Sequence, residues 1–426
     1  MIGRTATEAE NAAFDTLKRI FTNGAYSSVE LDRTLDRVSE DRRAKTTALV
    51  YGVLDKSITL DFILSELVKT PPKTTTAVLL KLALYEMKFG SEPPYAVVNK
   101  YVALAKTRMN GMQGFVNAVL RASANVTLPV DGGDANSMSV FYSRPKWIIE
   151  KMIGQLGLER TRSVLSAELP RMTHIRRNPA VISEDAFDRV MSGEQDAIRT
   201  DKGYYVTRGT LRRLRPEEFT AQSLSSIYAA EAYTDGLADG ISVLDLCAAP
   251  GGKAIAVAQM LPSSRVTACD VHPHRVRLIE AYAGRMRAAN VKALCADSAV
   301  YRPEWKEAFD LVICDVPCTG SGLLCTSPDI LLGKSADDLI PLGKTQTAIL
   351  STAAKYVKKG GRLAYSTCSL LREENEDVTD AFISTNAVFT PVERKSAKGS
   401  QRNGNIRLFP DTDSCDGFYI SRMTKN

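Results

Sequence analysis

The sequence predicts an α/β fold, with a doubly wound and mostly parallel sheet in its C-terminal part, preceded by a helical bundle and a small α+β segment. From about residue 236 onward, apolar strand-like runs alternate with helical segments. Residues 1 to about 125 instead carry apolar side chains at helical spacing. A chain of 426 residues is also too long for one ordinary domain. These three observations predict a chain of several domains.

The N-terminal region is predicted to be an all-helical domain over residues 1–130. Apolar residues recur there at helical spacing: Leu80, Leu84, Met87, Val97, Tyr101 and Leu104. Pro71-Pro72 and Pro93-Pro94 should separate helices. Residues 125–139 lose this periodicity and contain the turn sequence Asp131-Gly132-Gly133-Asp134. We therefore expect a linker there and a boundary near residue 140.

Two further regions follow this boundary. Residues 141–235 have a mixed pattern, with a helix expected over 145–155, and are predicted to form a small α+β segment. Residues 236–426 are predicted to form the parallel-sheet domain. Its predicted strands are 243–246, 266–269, 291–295, 311–314 and 363–365.

Composition excludes several classes of protein. No apolar run reaches the length of about 18 residues that spans a bilayer, and the first ten residues have acids and no apolar signal core. We expect a cytoplasmic protein without a membrane partner. The net charge of +6 permits a polyanionic partner, but a solvated surface explains it equally well.

Cysteine usage argues against disulfides and metal. All eight cysteines lie in the second half of the chain, and none forms a C-x-x-C pair. His272 and His274 are interpreted as surface turn residues. We therefore expect no metal site.

A glycine turn after the first strand of the sheet indicates a nucleotide-type cofactor. The run from Cys247 to Lys253 reads CAAPGGK, and Gly251-Gly252 lets the backbone approach a ligand at the start of a helix. Asp270 ends the second strand and suits ribose hydroxyls, while Asp297 ends the third and suits an adenine amino group. The turn is not G-x-G-x-x-G, which favours S-adenosylmethionine over a dinucleotide. The alternative for either acid is a helix cap or turn residue.

Two cysteines carry the strongest chemical signal. Cys318 in DVPC and Cys368 in YSTCS each follow a strand-like run, so both should reach one crevice at the edge of the sheet. The acidic residues 373–377 predict a helix after Cys368, whose dipole would favour a thiolate. A buried apolar role is the alternative for any single cysteine. We keep that interpretation for Cys247, Cys269, Cys295 and Cys314, and assign no role to Cys325 and Cys415.

Two thiols and an acid beside a methyl donor suit the methylation of carbon 5 of cytosine. This carbon is a poor nucleophile until a thiolate adds to carbon 6 of the ring. A proton at N3 relieves the charge that develops, and Asp315 at the end of its strand fits that task. A second cysteine can then assist release of the product.

Four motifs resemble one family in their sequence and order. They are CAAPGGK at 247–253, DVPCTGSG at 315–322, YSTCS at 365–369 with EENE at 373–376, and DGFY at 416–419. Over residues 141–424 the chain is similar to RNA cytosine C5-methyltransferases of the Nol1/Nop2/Sun type. The resemblance implies a Rossmann-like, S-adenosylmethionine-dependent methyltransferase domain, preceded by a small segment like an RNA-recognition fold.

The resemblance also implies residue roles. Cys368 would be the nucleophile, Cys318 would assist release, and Asp315 would contact both cofactor and cytosine. Lys253 would lie near the base or the methyl donor, although a surface charge is the alternative. The implied cofactor contacts are Cys247, Ala248, Ala249, Pro250, Gly251, Gly252, Lys253, Asp270, Asp297 and Asp315.

The N-terminal domain has a resemblance of its own. Residues 48–54, 60–61, 94–99 and 114–121 are similar to the RNA-binding antitermination factor NusB. This pairing is typical of bacterial members of the family that methylate a cytosine of 16S ribosomal RNA. It implies small-subunit ribosomal RNA as the partner, and we expect a monomer. Two positions depart from the family: a basic pair is missing before Pro328-Asp329, and Lys100 replaces an acid.

Basic side chains are the candidate RNA contacts, with a solvated face as the alternative for each. They are Arg171, Arg176, Arg177, Arg208, Arg212, Arg213 and Arg215 near Tyr204 and Tyr205, together with the loop 394–399.

Three rival functions stay open: a transfer RNA methyltransferase, an inert assembly or antitermination factor, and an amino-methyltransferase. The last would have an aromatic residue in place of Cys318.

Overall fold

The computed structural model describes residues 6–24, 27–327, 329–392 and 398–426. Pro328 and most of the basic loop, 394–397, lie outside the described residues. The chain divides into two compact units, Met1–Gly154 and Gln155–Asn426. The finer division at 130, 141 and 236 stays a prediction. Among the described residues, none of the helices has the length and apolar character that crossing a bilayer requires.

The first unit is helical, as predicted. Its helices are α1 (Glu8–Asn23), α2 (Ser27–Leu35), α3 (Glu40–Asp55), α4 (Ser57–Leu67), α5 (Thr74–Phe89), α6 (Pro94–Arg108), α7 (Gln113–Ala122), α8 (Ala135–Tyr142) and α9 (Lys146–Leu156), the last crossing the division. Both proline pairs fall where one helix ends and the next begins. The predicted linker over 125–139 is wrong in its second part, because α8 begins at Ala135. The Asp134 side chain caps this helix by accepting from the backbone N–H groups of Asn136 and Ser137.

Lys100 lies in a buried cluster of charges in this unit. Its ammonium is 2.8 Å from Glu86, 3.0 Å from Glu92 and 3.1 Å from Glu10. Lys45 joins the cluster at 2.6 Å from Glu10. Burial opposes the ionisation of Glu10, but hydrogen bonds including that from Lys45 lower the pKa of Glu10 to about 2. Carboxylates of its own unit therefore neutralise Lys100, and removing one of its buried partners, Glu10 or Glu86, would cost about 3–5 kcal/mol.

The second unit begins with a small α+β segment. It contains α10 (Leu158–Leu165), β1 (Thr173–Arg177), α11 (Glu184–Ser192), β2 (Ile198–Thr200), β3 (Gly203–Val206), α12 (Arg208–Arg213) and β4 (Phe219–Ala221). The strands form an antiparallel sheet in the order β2-β3-β1-β4. Its buried core includes Ile175, Phe187 and Tyr204.

The remaining elements build the predicted α/β domain. They are α13 (Leu224–Thr234), β5 (Ser242–Asp245), α14 (Gly252–Met260), β6 (Arg265–Asp270), α15 (Pro273–Arg285), β7 (Val291–Cys295), β8 (Phe309–Asp315), α16 (Leu339–Ala353), β9 (Val357–Thr367), α17 (Glu376–Thr385), β10 (Phe389–Pro391), β11 (Ser400–Arg402), β12 (Asn405–Leu408), α18 (Pro410–Asp413) and β13 (Phe418–Lys425). The sheet order is β11-β12-β13-β9-β8-β5-β6-β7, and β10 pairs with β13.

The five predicted strands, β5 to β9, are all present and mutually parallel. Strands β10 to β13 add an antiparallel part that the sequence analysis did not predict. The central strands are apolar on both faces: Val243 and Ile313 pack into one core, Leu244 and Val312 into the other. Because these strands are parallel, their carboxyl ends share one edge of the sheet.

Candidate active site

The two cysteines meet at this edge. Asp315 at the end of β8 pairs in register with Ser366 near the end of β9, so the loops that follow the two strands are neighbours. Cys318 and Cys368 lie on these loops with their Sγ atoms 3.3 Å apart. The structure therefore brings both cysteines into one site.

The two thiols have different acidities. A hydrogen bond from the Cys318 thiol lowers the pKa of Cys368 despite its burial, and the nearby Lys253 ammonium lowers it further. The same hydrogen bond and burial raise the pKa of Cys318 well above its usual value. Cys368 is thus the more acidic thiol of the pair, and Cys318 is the less acidic one.

The helix that follows Cys368 begins later than predicted. The acidic residues predict a helix over 373–377, but α17 begins only at Glu376, and a 3₁₀ turn, Arg372–Glu374, precedes it. Glu374 is buried and accepts hydrogen bonds from the Thr319 backbone N–H at 2.8 Å and the Thr319 hydroxyl at 2.6 Å. This carboxylate therefore fixes the loop of Cys318, a role that sequence reasoning missed.

Asp315 has two partners, one at each of its carboxylate oxygens. Its Oδ2 lies 2.8 Å from the Lys253 ammonium, and its Oδ1 accepts a 2.8 Å hydrogen bond from Ser366. Because Ser366 donates to Asp315, the buried Tyr233 hydroxyl must be the donor in its 2.5 Å bond to Ser366. Burial opposes the charge on Lys253, but Asp315 raises the pKa of Lys253 above its usual value. Lys253 is thus a member of the site and not a surface charge.

The predicted cofactor turn connects β5 to α14. Gly251 has φ +113°, a conformation that favours glycine, and an added Cβ would lie 3.4 Å from the Ile255 side chain. Ala248, Ala249 and the neighbouring Pro250 precede it, with a cis bond between the last two. Burial raises the pKa of Cys247, so this thiol stays protonated. The turn therefore consists of small residues, of which Ala248, Ala249 and Gly251 are buried and Pro250 is exposed.

Asp245, the last residue of β5, is a further candidate that sequence reasoning missed. It is fully buried, and its Oδ2 has no hydrogen-bond partner among the described residues. Burial, followed by the charge of Asp315, raises the pKa of Asp245 to about 7. A buried carboxylate oxygen without a partner suits a cationic ligand, and S-adenosylmethionine carries a sulfonium and an ammonium group. The residues present therefore fit the expected cofactor.

Asp270 and Asp297 lie at the predicted strand ends but already make local bonds. Asp270 accepts from the His272 backbone at 3.0 Å and pairs with Arg275 at 3.1 Å. Asp297 is exposed and accepts from the Ala299 backbone at 2.9 Å. Arg275 also donates to the Ala249 carbonyl at 2.9 Å, which joins Asp270 to the cofactor turn. A ligand role for either acid stays a prediction.

One candidate RNA contact is wrong. Arg176 is buried, and it donates to Gln222 at 2.6 Å and to Gln259 at 2.5 Å. Gln222 in turn donates to the carbonyl of Gly252 at 3.2 Å. Arg176 therefore links the small sheet to both ends of α14, directly through Gln259 and indirectly through Gln222. Arg213 and Arg215 pair with nearby glutamates but keep more than half of their side chains exposed, so they stay candidates.

Comparisons with known proteins agree with these observations. The family description 16S rRNA methyltransferase RsmB/F matches residues 235–424, and the NusB family matches residues 7–125. Among solved structures, the protein PH0851 has the same fold, with a TM-score of 0.84 at 22% identity over 99% of this chain and 100% of that one. A methyltransferase homologue from Pyrococcus horikoshii has a TM-score of 0.57 at 25% identity over 68% of this chain and 99% of that one.

Curated relatives match nearly the whole chain. Probable ribosomal RNA small subunit methyltransferase B of Bacillus subtilis (strain 168) is 31% identical, covering 98% of this chain and 99% of the relative. Ribosomal RNA small subunit methyltransferase B of Xylella fastidiosa (strain 9a5c) is 29% identical, with 96% and 98% covered. At this identity and coverage, the chain belongs to the ribosomal RNA small subunit methyltransferase B family.

Proposed function

We propose that this protein methylates carbon 5 of one cytosine in 16S ribosomal RNA through a covalent bond between Cys368 and carbon 6. Family membership shows that the protein is an rRNA methyltransferase whose methyl donor is S-adenosylmethionine. The proposed cysteine chemistry is supported by the two Sγ atoms 3.3 Å apart beside the Asp315–Lys253 ion pair.

Cys368 begins the reaction as the thiolate of the pair. Its addition to carbon 6 pushes electrons into the ring, and N3 gains a proton from the ion pair, in which Lys253 holds the proton and Asp315 positions it. S-adenosylmethionine supplies the electrophilic methyl group that carbon 5 accepts. Residues 247–253 would hold this cofactor, with Asp245 as the counter-charge.

Cys318 then changes its role. Once Cys368 is bonded to carbon, it no longer accepts the hydrogen bond that is the largest cause of the raised pKa of Cys318. Cys318 therefore becomes more acidic and can lose its thiol proton to solvent, and its thiolate then takes the proton from carbon 5. Loss of that proton lets the ring expel Cys368 as a thiolate. The proton on N3 returns to Lys253, which leaves the neutral aromatic product.

The N-terminal match to the NusB family favours ribosomal RNA over transfer RNA as substrate. The target base must leave its stack to meet Cys368, so a locally opened site is expected. The intact pair Cys318 and Cys368 argues against an inert assembly factor. Cytoplasmic location and a monomeric state stay predictions.

The test is to incubate the protein with labelled S-adenosylmethionine and undermethylated small-subunit rRNA, with transfer RNA in parallel, and to map any 5-methylcytosine. Label at one rRNA cytosine supports the proposal. Label only in transfer RNA overturns the substrate, and label on another atom overturns the cysteine chemistry. Cofactor binding without label in either RNA would favour the inert factor.

A further inference from the structure

The distance between the two cysteines also suits a second kind of bond. A disulfide joins sulfur atoms at about 2.05 Å, so Sγ atoms 3.3 Å apart need to approach by only roughly 1.2 Å. Neither cysteine lies in a helix or strand, because β8 ends at Asp315 and β9 at Thr367. Rotation of the side chains on these loops can close the gap without breaking the sheet.

We propose that Cys318 and Cys368 form a redox-modification site, at which hydrogen peroxide joins them in a reversible disulfide that switches methylation off. Both residues are half-buried, which leaves them accessible to a molecule as small as peroxide. In the proposed methylation the Cys318 sulfur takes a proton from the base, whereas here it attacks the sulfur of Cys368.

The surroundings make the reaction selective. Peroxide oxidises thiolates, and the thiol of Cys368 is the more acidic one of the pair, because the hydrogen bond with Cys318 and the nearby Lys253 ammonium lower its pKa. Burial raises the pKa of Cys269 to about 12 and also raises the pKa of Cys314 and Cys415, so these thiols stay protonated. Cys295 is exposed and serves as a control for general oxidation.

The reaction has two balanced steps. The Cys368 thiolate attacks one oxygen of hydrogen peroxide, the O–O bond breaks, and a sulfenic acid and hydroxide form. The Cys318 sulfur then attacks the Cys368 sulfur, the S–O bond breaks, and the hydroxyl group leaves with the Cys318 proton as water. Two thiols have lost two electrons, and peroxide has been reduced. The nucleophile is blocked, but a thiol reductant restores it.

The experiment uses the full-length protein without RNA or cofactor. The protein is treated with hydrogen peroxide, remaining thiols are blocked with N-ethylmaleimide, and the digest is analysed by mass spectrometry. We expect a peptide containing Cys368 joined to one containing Cys318, with methylation reduced to background and restored by dithiothreitol. Sulfinic acid at Cys368 without this link would overturn the proposal.

Two variants assign the bond. Cys318→Ala should lose the link, and its Cys368 should proceed to sulfinic acid that dithiothreitol does not reverse. Cys295→Ser should form the link as the unchanged protein does, and a link that persists in Cys318→Ala would place the partner elsewhere. Circular dichroism checks folding, and the link in the unchanged protein stays decisive if a variant misfolds. Because the link is measured on the protein itself, its presence or absence does not depend on the proposed methylation.

Discussion

Tyr233 and Tyr228 lie on the same helix, α13, but their hydroxyl groups bond to different parts of the second unit. Tyr233 donates to Ser366, which holds Asp315 in the active site. Tyr228 donates to Asp201 at 2.6 Å, in the turn between β2 and β3. Both rings are buried. The helix therefore offers two matched hydroxyl groups, of which only one reaches the site.

Tyr233→Phe should lower kcat by about fivefold, because one hydrogen bond of about 1 kcal/mol that orients Asp315 is lost. The KM for RNA should change little, since the ring remains. Steady-state kinetics and thermal unfolding measure the two effects. Tyr228→Phe is the matched control and should lose similar stability at unchanged kcat. An equal loss of kcat in both variants would show that the hydroxyl of Tyr233 acts on stability alone.

Cys368→Ser should abolish methylation and form no RNA adduct, because the nucleophile is gone. Cys318→Ala should accumulate a covalent protein–RNA adduct, because release from carbon 6 fails. Denaturing gels with labelled RNA measure the adduct, and Cys295→Ser serves as the control that keeps activity. Loss of activity in Cys318→Ala without any adduct would contradict the division of labour.

Removing the charge of Lys253 and removing the charge of Asp315 should shift the pKa of Cys368 in opposite directions. Lys253 lowers the pKa of Cys368 and Asp315 raises it. Lys253→Gln should therefore move the alkylation of Cys368 by iodoacetamide to higher pH, and Asp315→Asn to lower pH. Rates measured across a pH series in the protein alone test this. Shifts of the same sign would mean that the charges act through a change of structure.

Asp245→Asn should stabilise the protein at neutral pH while weakening the binding of S-adenosylmethionine. The pKa of Asp245 is about 7 in the folded protein and its ordinary value is 3.8, so between these values the folded state holds an extra proton. Its contribution to the free energy of unfolding then falls as pH rises, by roughly 1 kcal/mol per pH unit. Denaturant unfolding at pH 5 and pH 7 and calorimetric titration measure both effects. A variant with the same pH dependence as the unchanged protein would contradict this assignment.

The sequence predicted the parallel strands well because β5 to β9 are largely covered on both faces and appear as short apolar runs. It did not predict β10 to β13. Strand β11, Ser400–Arg402, is exposed and polar, and β13, Phe418–Lys425, mixes polar with apolar residues. Their pairing is set by the neighbouring strand, which a local pattern does not reveal.

In the site, too, local motifs could be predicted from the sequence, but contacts between distant positions could not. Cys318, Cys368, Asp315 and Lys253 belong to compact motifs, so the sequence pointed to all four. Tyr233 lies 133 positions from Ser366, and only the fold brings its hydroxyl there. Arg176 was misjudged because a charged residue in a strand gives no local sign that its guanidinium is buried. The sequence indicated Glu374 only as one of the acidic residues of a helix, because its hydrogen-bond partner Thr319 is distant in sequence.

Strand β13 completes the sheet beside β9, the strand that leads to the nucleophile. It begins at Phe418, long after both cysteines along the chain. During synthesis on the ribosome, both cysteines, Asp315 and Lys253 are therefore present before β13 exists. At that stage β9 has unpaired backbone groups along one edge, and such an edge can pair with another chain. Translation that stops before residue 418 should yield a product prone to aggregation and degradation, so only completed chains would supply the nucleophile in working order.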